Sequence, residues 1–305
     1  MADWLLAAVR FGLYGGLGLI FGMPAFLLMT AAGASLWRQF RLDLVLAVLA
    51  VLGLVLSLLG FLLTAARMSA MPLTALDPGL LEALLRESAV GRALMVRITA
   101  LLVFLCLALL LPVGRKKSWL LVICGAFAVG SLAWSGHAAS GAAVIGLVHL
   151  GSDIVHMLAA STWLGALLLL LALVRPGGDA TRERAGVAHV ALEGFGRTGT
   201  IAVILIVMTG ITNLLLTVDF TALPELGTTT YGWLILLKIA IFAGMLGCAV
   251  FNRYGLTPAL KASIEQGESR PSLSGLRRSI ALEASLAICI LALVGWLGML
   301  DPGGG

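Results

Sequence analysis

Long apolar runs recur along the chain with short polar breaks between them, and each approaches or exceeds the roughly 20 residues needed to cross a bilayer. Eight stand out, at about 4–31, 42–66, 91–112, 118–137, 144–174, 195–219, 231–252 and 278–300. The pattern predicts an all-α polytopic membrane protein, a bundle of eight transmembrane helices, because lipid satisfies no backbone polar group and a helix bonds its own internally. Pro24 falls inside the first run, where a kink is expected. The longest break, about 175–194, is too short for a soluble domain. No internal repeat of 20–50 residues is visible. Asp3 precedes the first run without a basic segment, which predicts a retained helix rather than a cleaved leader.

Composition narrows the class. Only 11% of the 305 residues are charged and 60% are hydrophobic, against about 25% charged in a soluble globular protein. So few charges cannot dress the outside of a water-soluble core, which excludes a soluble enzyme, a nucleic-acid binder and a disordered chain. The net charge of +5 therefore concerns topology. Lys and Arg gather in the odd-numbered breaks: Arg38 and Arg41; Arg115, Lys116 and Lys117; Arg175, Arg182, Arg184 and Arg197; Arg253, Lys261, Arg270, Arg277 and Arg278. The fourth break has no charge, the sixth only Asp219 and Glu225, and the second is balanced. The positive-inside rule then makes the odd breaks cytoplasmic and both termini periplasmic. The four cysteines, Cys106, Cys124, Cys248 and Cys289, all lie in spans without a CxxC pair, so neither a disulfide framework nor a thiolate zinc site is expected.

Ionisable residues inside spans are costly and mark functional sites by default. Arg10, Asp153, Asn213 and Lys238 fall, at about 1.5 Å per residue, in one layer roughly 10–15 Å below the outer surface. His149, Asp153 and His156 follow the spacing i, i+4, i+7, which puts them on one helix face. His149 and His156 are about 10 Å apart along the axis, too far for one ion with ligand bonds near 2 Å. Asp153 can share an ion with either. His137, at the outer end of the fourth span, can supply a third ligand. The same residues also fit a structural hydrogen-bonded pair or a proton relay. Met68, Met71 and Met95 at the outer ends of the second and third spans offer thioethers for cuprous copper, while imidazole and carboxylate suit cupric copper or zinc. As plain core residues, methionines would pack equally well. Glu283 lies past Arg278, with which a salt bridge is the default expectation.

The chain resembles the CopD/PcoD family of bacterial inner-membrane copper-resistance proteins. The resemblance runs through Gly136-His137, Asp153-x-x-His156, Trp163-Leu-Gly165, Phe195-Gly-Arg197, Thr209-Gly210, the Tyr231-Gly232 to Lys238 run, Asn252-Arg253 and Arg277-Arg278 to Glu283. It implies eight membrane helices and movement of copper from periplasm to cytoplasm across the inner membrane. It also implies a CopD-like region of three helices at 194–300, after an N-terminal region of five helices at 1–193; the Asp-Pro-Gly-Gly-Gly run at 301–305 reads by itself as a flexible tail. His137, Asp153 and His156 carry over as metal residues, with His149 this chain's own addition. Expected support comes from Arg10, Trp163, Asn213, Lys238 and Glu283. The expected cargo is a copper ion, Cu+ or Cu2+, collected from the periplasm, with a periplasmic copper-binding protein as a further partner. No Walker motif is present, and the reading is a transporter, not an enzyme. Two alternatives stay open. One is a haem-binding membrane redox enzyme of the HemJ type with His149 or His156 as an axial ligand. The other is an assembly protein that presents copper without transporting it.

Overall fold

The computed structural model describes residues 3–135, 143–175, 181–217, 227–266 and 269–300. These form eleven α-helices and no strand: α1 Asp3–Met29, α2 Gly33–Gln39, α3 Leu42–Ser69, α4 Pro78–Glu87, α5 Ala89–Leu110, α6 Arg115–Gly130, α7 Ala143–Leu173, α8 Thr181–Thr217, α9 Thr230–Phe251, α10 Thr257–Gln266 and α11 Ser269–Leu297. A π-helical turn, Asn252–Leu256, joins α9 to α10. Seven stretches among the described residues are long and apolar enough to cross a membrane.

The remaining expected span, 118–137, differs from the prediction. As an α-helix it stops at Gly130, after 16 residues. Ser131 explains the stop: its hydroxyl turns back to the Ala128 carbonyl and receives Arg97, so the helix end is held inside the bundle. The break expected over 175–194 is also different, because α8 begins at Thr181 and runs for 37 residues. At about 1.5 Å per residue that is roughly 55 Å, well beyond the hydrocarbon thickness of a bilayer. Pro24 does not interrupt α1, which continues to Met29.

The Gly-rich helix α1 is the central element and packs against α7, α6, α3 and α11. Its middle is nearly all buried, from Leu17 and Gly18 through Ile20 to Leu27. The crossing with α7 is backbone on backbone. A Cβ on Gly22 would lie 1.9 Å from the Ser161 carbonyl oxygen, and one on Gly165 would lie 2.2 Å from the Gly22 carbonyl carbon. Small residues permit this approach, and in lipid such close packing supplies much of the association energy that hydrophobicity supplies in water.

Helix ends are satisfied by specific side chains. Asp77, Ser88 and Thr229 accept from Leu80 N, Gly91 N and Gly232 N at 3.0–3.1 Å, capping α4, α5 and α9 as short polar residues do. Lys117, expected only as a topology signal, is buried. Its ammonium pairs with Asp43 and donates to the last carbonyls of α5, Ala108 O at 2.6 Å and Leu111 O at 2.8 Å, with the Trp37 ring 5.2 Å away. At the other end, Arg10 donates to the Gly298 carbonyl, and Arg67 to the Met299 carbonyl at 3.2 Å. Both cations therefore sit where the α11 dipole is negative. These contacts bring the start of α1 and the end of α11 to one face of the bundle, called here the termini-bearing end.

Candidate metal centre

The strongest polar constellation lies between α7, α8 and α9 in the termini-bearing half. Asp153 on α7 is half-buried. Its Oδ1 accepts from Asn213 Nδ2 of α8 at 2.6 Å, and its Oδ2 lies 4.0 Å from His149 Nε2 one turn earlier. Lys238 of α9, Tyr14 of α1 and Tyr231 of α9 lie within electrostatic range of the same carboxylate. No ion pair within 4 Å joins Lys238 to Asp153 among the described residues.

His156, on the next turn of α7, is held by α8. Its Nδ1 lies 2.9 Å from Thr209 Oγ1, and that hydroxyl gives its proton to the Leu205 carbonyl at 2.5 Å. A hydroxyl has one proton to give. With that proton committed to Leu205, Thr209 must accept, so His156 carries its proton on Nδ1. In its neutral form, an imidazole protonated on Nδ1 keeps a lone pair on Nε2, the form that binds a metal. A hydrogen bond from the non-ligating nitrogen is the usual way a protein fixes a metal-binding imidazole. Gly210 lies beside the ring, where an added Cβ would already be in contact at 3.6 Å, and Ser152 Oγ donates to the Thr209 carbonyl at 3.3 Å. The Thr209-Gly210 pair thus forms a slot for the ring.

The expected residues are not all brought together. His149, Asp153, His156, Asn213 and Lys238 gather on the α7–α8–α9 side. Arg10 serves the end of α11 rather than Asp153. Met68, Met71 and Met95 are exposed on α3, the loop after it and α5, away from the helices that carry Asp153. His137 and the tail at 301–305 lie outside the described residues. Among the described residues no three His, Cys, Asp or Glu side chains form a metal cluster. All four cysteines are free, with Cys106 and Cys289 exposed.

The salt bridge expected between Glu283 and Arg278 is absent. Glu283 is almost fully buried and turns to neutral donors instead: Trp163 Nε1 reaches Oε1 at 2.6 Å, and Asn252 Nδ2 reaches Oε2 at 2.9 Å. Five positions along a helix lie on different faces, which is why Arg278 cannot reach it. Trp163 also packs edge-on against Phe242, with ring centroids 5.9 Å apart. Arg97 is a further cation inside the bundle, outside the residues expected at the site. It is buried in α5 and binds Ser131 Oγ at 2.8 Å and the Ser131 carbonyl at 3.2 Å. The same signal that marks Arg10, a cation inside an apolar run, marks Arg97 too.

Two family profiles match the chain. One described as the N-terminal domain of a copper resistance protein D-like family covers residues 1–147, and one described as copper resistance protein D covers 189–297. The copper resistance protein D of Pseudomonas syringae pv. tomato is 33% identical over 310 residues, which is 99% of this chain and 98% of that protein. This chain belongs to the copper resistance protein D family. A second relative, the inner membrane protein YebZ of Escherichia coli strain K12, is 27% identical over 226 residues, covering 74% of this chain and 73% of its own. No solved structure matches. With seven apolar helices of spanning length, this copper resistance protein D homologue is a multi-pass membrane protein. The site just described draws on the gap between the two profiles and on the second profile: the His149–His156 turns of α7 fall between the matched ranges, while Thr209, Asn213 and Lys238 fall inside the second.

Proposed function

We propose that the protein carries copper across the bacterial inner membrane into the cytoplasm, through a bundle of eight membrane segments with α6 as the short one and both termini periplasmic. On this reading the termini-bearing end faces the periplasm. Copper enters there past Met68, Met71, Met95 and His137 and binds at His149, Asp153 and His156. Asn213 holds the carboxylate, Thr209 holds the His156 ring, and Lys238 opposes the cation's charge and adjusts how tightly it is held. Transport, rather than catalysis, fits a site whose polar groups are donors and counter-charges within a lipid-embedded bundle, and the name of the Pseudomonas syringae relative and of the matching family supports copper as the cargo. A periplasmic copper-binding protein would deliver the ion.

The observation that carries the reading is the ordered imidazole. His156 Nδ1 is held by Thr209 of α8 at 2.9 Å, one turn along α7 from Asp153, whose carboxylate is held by Asn213 of the same helix. The test is copper uptake into proteoliposomes containing the purified protein, unmutated or carrying His156→Ala or Asp153→Ala. Loss of most uptake in both variants is expected. Uptake equal to the unmutated protein would remove the assigned site, and no uptake by the unmutated protein would remove transport itself.

A further inference from the structure

Glu283 is the one fully buried carboxylate among the described residues, and the metal site does not use it. It lies in the half of the bundle opposite the termini. The carboxylate is 2% exposed and is held by two N–H donors from different helices, Trp163 of α7 and Asn252 at the start of the π-helical turn. No cation pairs with it among the described residues. A buried carboxylate without a cationic partner is expensive, and in membrane proteins such groups are characteristic of proton relays.

A second feature points to the ligand. Asn252 is 7% exposed, and its Oδ1 has no partner, although a buried acceptor left open is costly. Its amide serves two protonation states. With Glu283 ionised, Nδ2 donates to the carboxylate. With Glu283 protonated, a half-turn of the amide lets Oδ1 accept the new O–H. The donors already on both carboxylate oxygens argue against a metal ion here, because N–H groups directed at the site repel a cation.

The cluster is also joined to the metal site. Trp163 is on the helix that carries His156, two turns further along, and Asn252 ends the helix that carries Lys238. A groove of about 470 Å3 between α9 and α11 is lined by Gly247, Cys248, Ser279 and Arg278. Cys248 on α9 lies within electrostatic range of Glu283; the other titratable groups on α11 and on elements packed against it at this end are Arg277 and Arg278 on α11, Arg253 in the π-turn, Arg197 on α8, and Lys261 and Glu265 on α10. Arg253 is engaged with Gly196 and Thr200 of α8. None makes an ion pair with Glu283 in the structure.

We infer that Glu283 is a proton-binding site coupled to the copper site: its carboxylate takes up one proton to become a carboxylic acid in one conformation and releases it in another. Copper keeps its oxidation state throughout, and the proton is the only species exchanged at Glu283. The inference rests on the transport reading. The test is copper uptake by proteoliposomes with and without an imposed pH gradient, for the unmutated protein, Glu283→Gln and Trp163→Phe. The gradient should change the initial rate of the unmutated protein several-fold. The Glu283→Gln rate should be the same with and without it, while its copper stoichiometry stays unmutated. Trp163→Phe should keep the response but shift the pH of half-maximal uptake. An unmutated gradient response in Glu283→Gln overturns the proposal, as does a second bound copper that this variant loses. Should the unmutated protein not transport, or the Gln variant not fold, infrared difference spectra decide. Copper added to the unmutated protein should change a carboxylic-acid C=O band, and no such change overturns the proton site independently of transport.

Discussion

At the residue scale, the site depends less on the putting together of many ligands than on how two of them are oriented. Asp153 and His156 come from one face of α7, but α8 decides what they can do: Asn213 occupies one carboxylate oxygen and Thr209 sets the imidazole tautomer. Removal of a hydrogen bond that orients a metal ligand typically lowers metal affinity by about 10–100-fold. Thr209→Val should therefore weaken copper binding by roughly that factor, while Thr209→Ser should restore it. Titration of the purified protein against a copper chelator of known affinity measures both, and unmutated affinity in Thr209→Val would mean that His156 is not a ligand. The face shared by His149, Asp153 and His156 was legible from spacing alone. The partner of each was not, because hydrogen bonds between α7 and α8 link positions more than 50 residues apart. Glu283 shows the same limit. Its nearest cation in the chain is Arg278, yet helix geometry sends the two side chains apart and tertiary packing supplies Trp163 and Asn252.

At the scale of elements, the crossing of α1 and α7 holds the site helix against the centre of the bundle. Because Gly22 and Gly165 meet backbone to backbone, any side chain there must push the helices apart. Gly22→Leu and Gly165→Leu should each destabilise the protein by about 3 kcal/mol or more, in the range of severe overpacking. Gly16→Ala, where nothing lies within 4 Å of an added Cβ, should be neutral or slightly stabilising, since alanine favours a helix by up to about 1 kcal/mol over glycine. Thermal unfolding followed by tryptophan fluorescence in detergent distinguishes the two classes, and equal melting temperatures would refute the close crossing. Helix existence was readable from the apolar runs. Helix ends were harder. α6 stops early because Ser131 and Arg97 bond at its end, and α8 starts early because a charged helix can extend beyond lipid where hydropathy gives no signal. The short helices α2, α4 and α10 were invisible for the same reason.

At the scale of the whole molecule, the distribution of Lys and Arg predicts one orientation for the bundle. A phosphatase fused after Leu300 should be active in the periplasm, and one fused after Arg197 should be inactive. The reverse result would invert the topology and put the Asp153 layer on the cytoplasmic side, which would rule out import by the route proposed here. The basic residues have a second role that counting could not reveal. Lys117, Arg10 and Arg67 each close the C-terminal end of a helix, so orientation and helix capping use the same charges.

Class, helical content and the candidate layer of polar residues follow from the sequence by itself, because a bilayer imposes length and hydropathy on every span and makes each ionisable residue inside it conspicuous. Which polar groups meet was decided only by the tertiary structure. In lipid the helices are apolar on nearly every side, so periodicity does not say which face turns inward. Close glycine contacts and a few hydrogen bonds between distant helices settle that choice. They separate Arg10 from Asp153, bring Thr209 to His156, and leave Glu283 buried between Trp163 and Asn252.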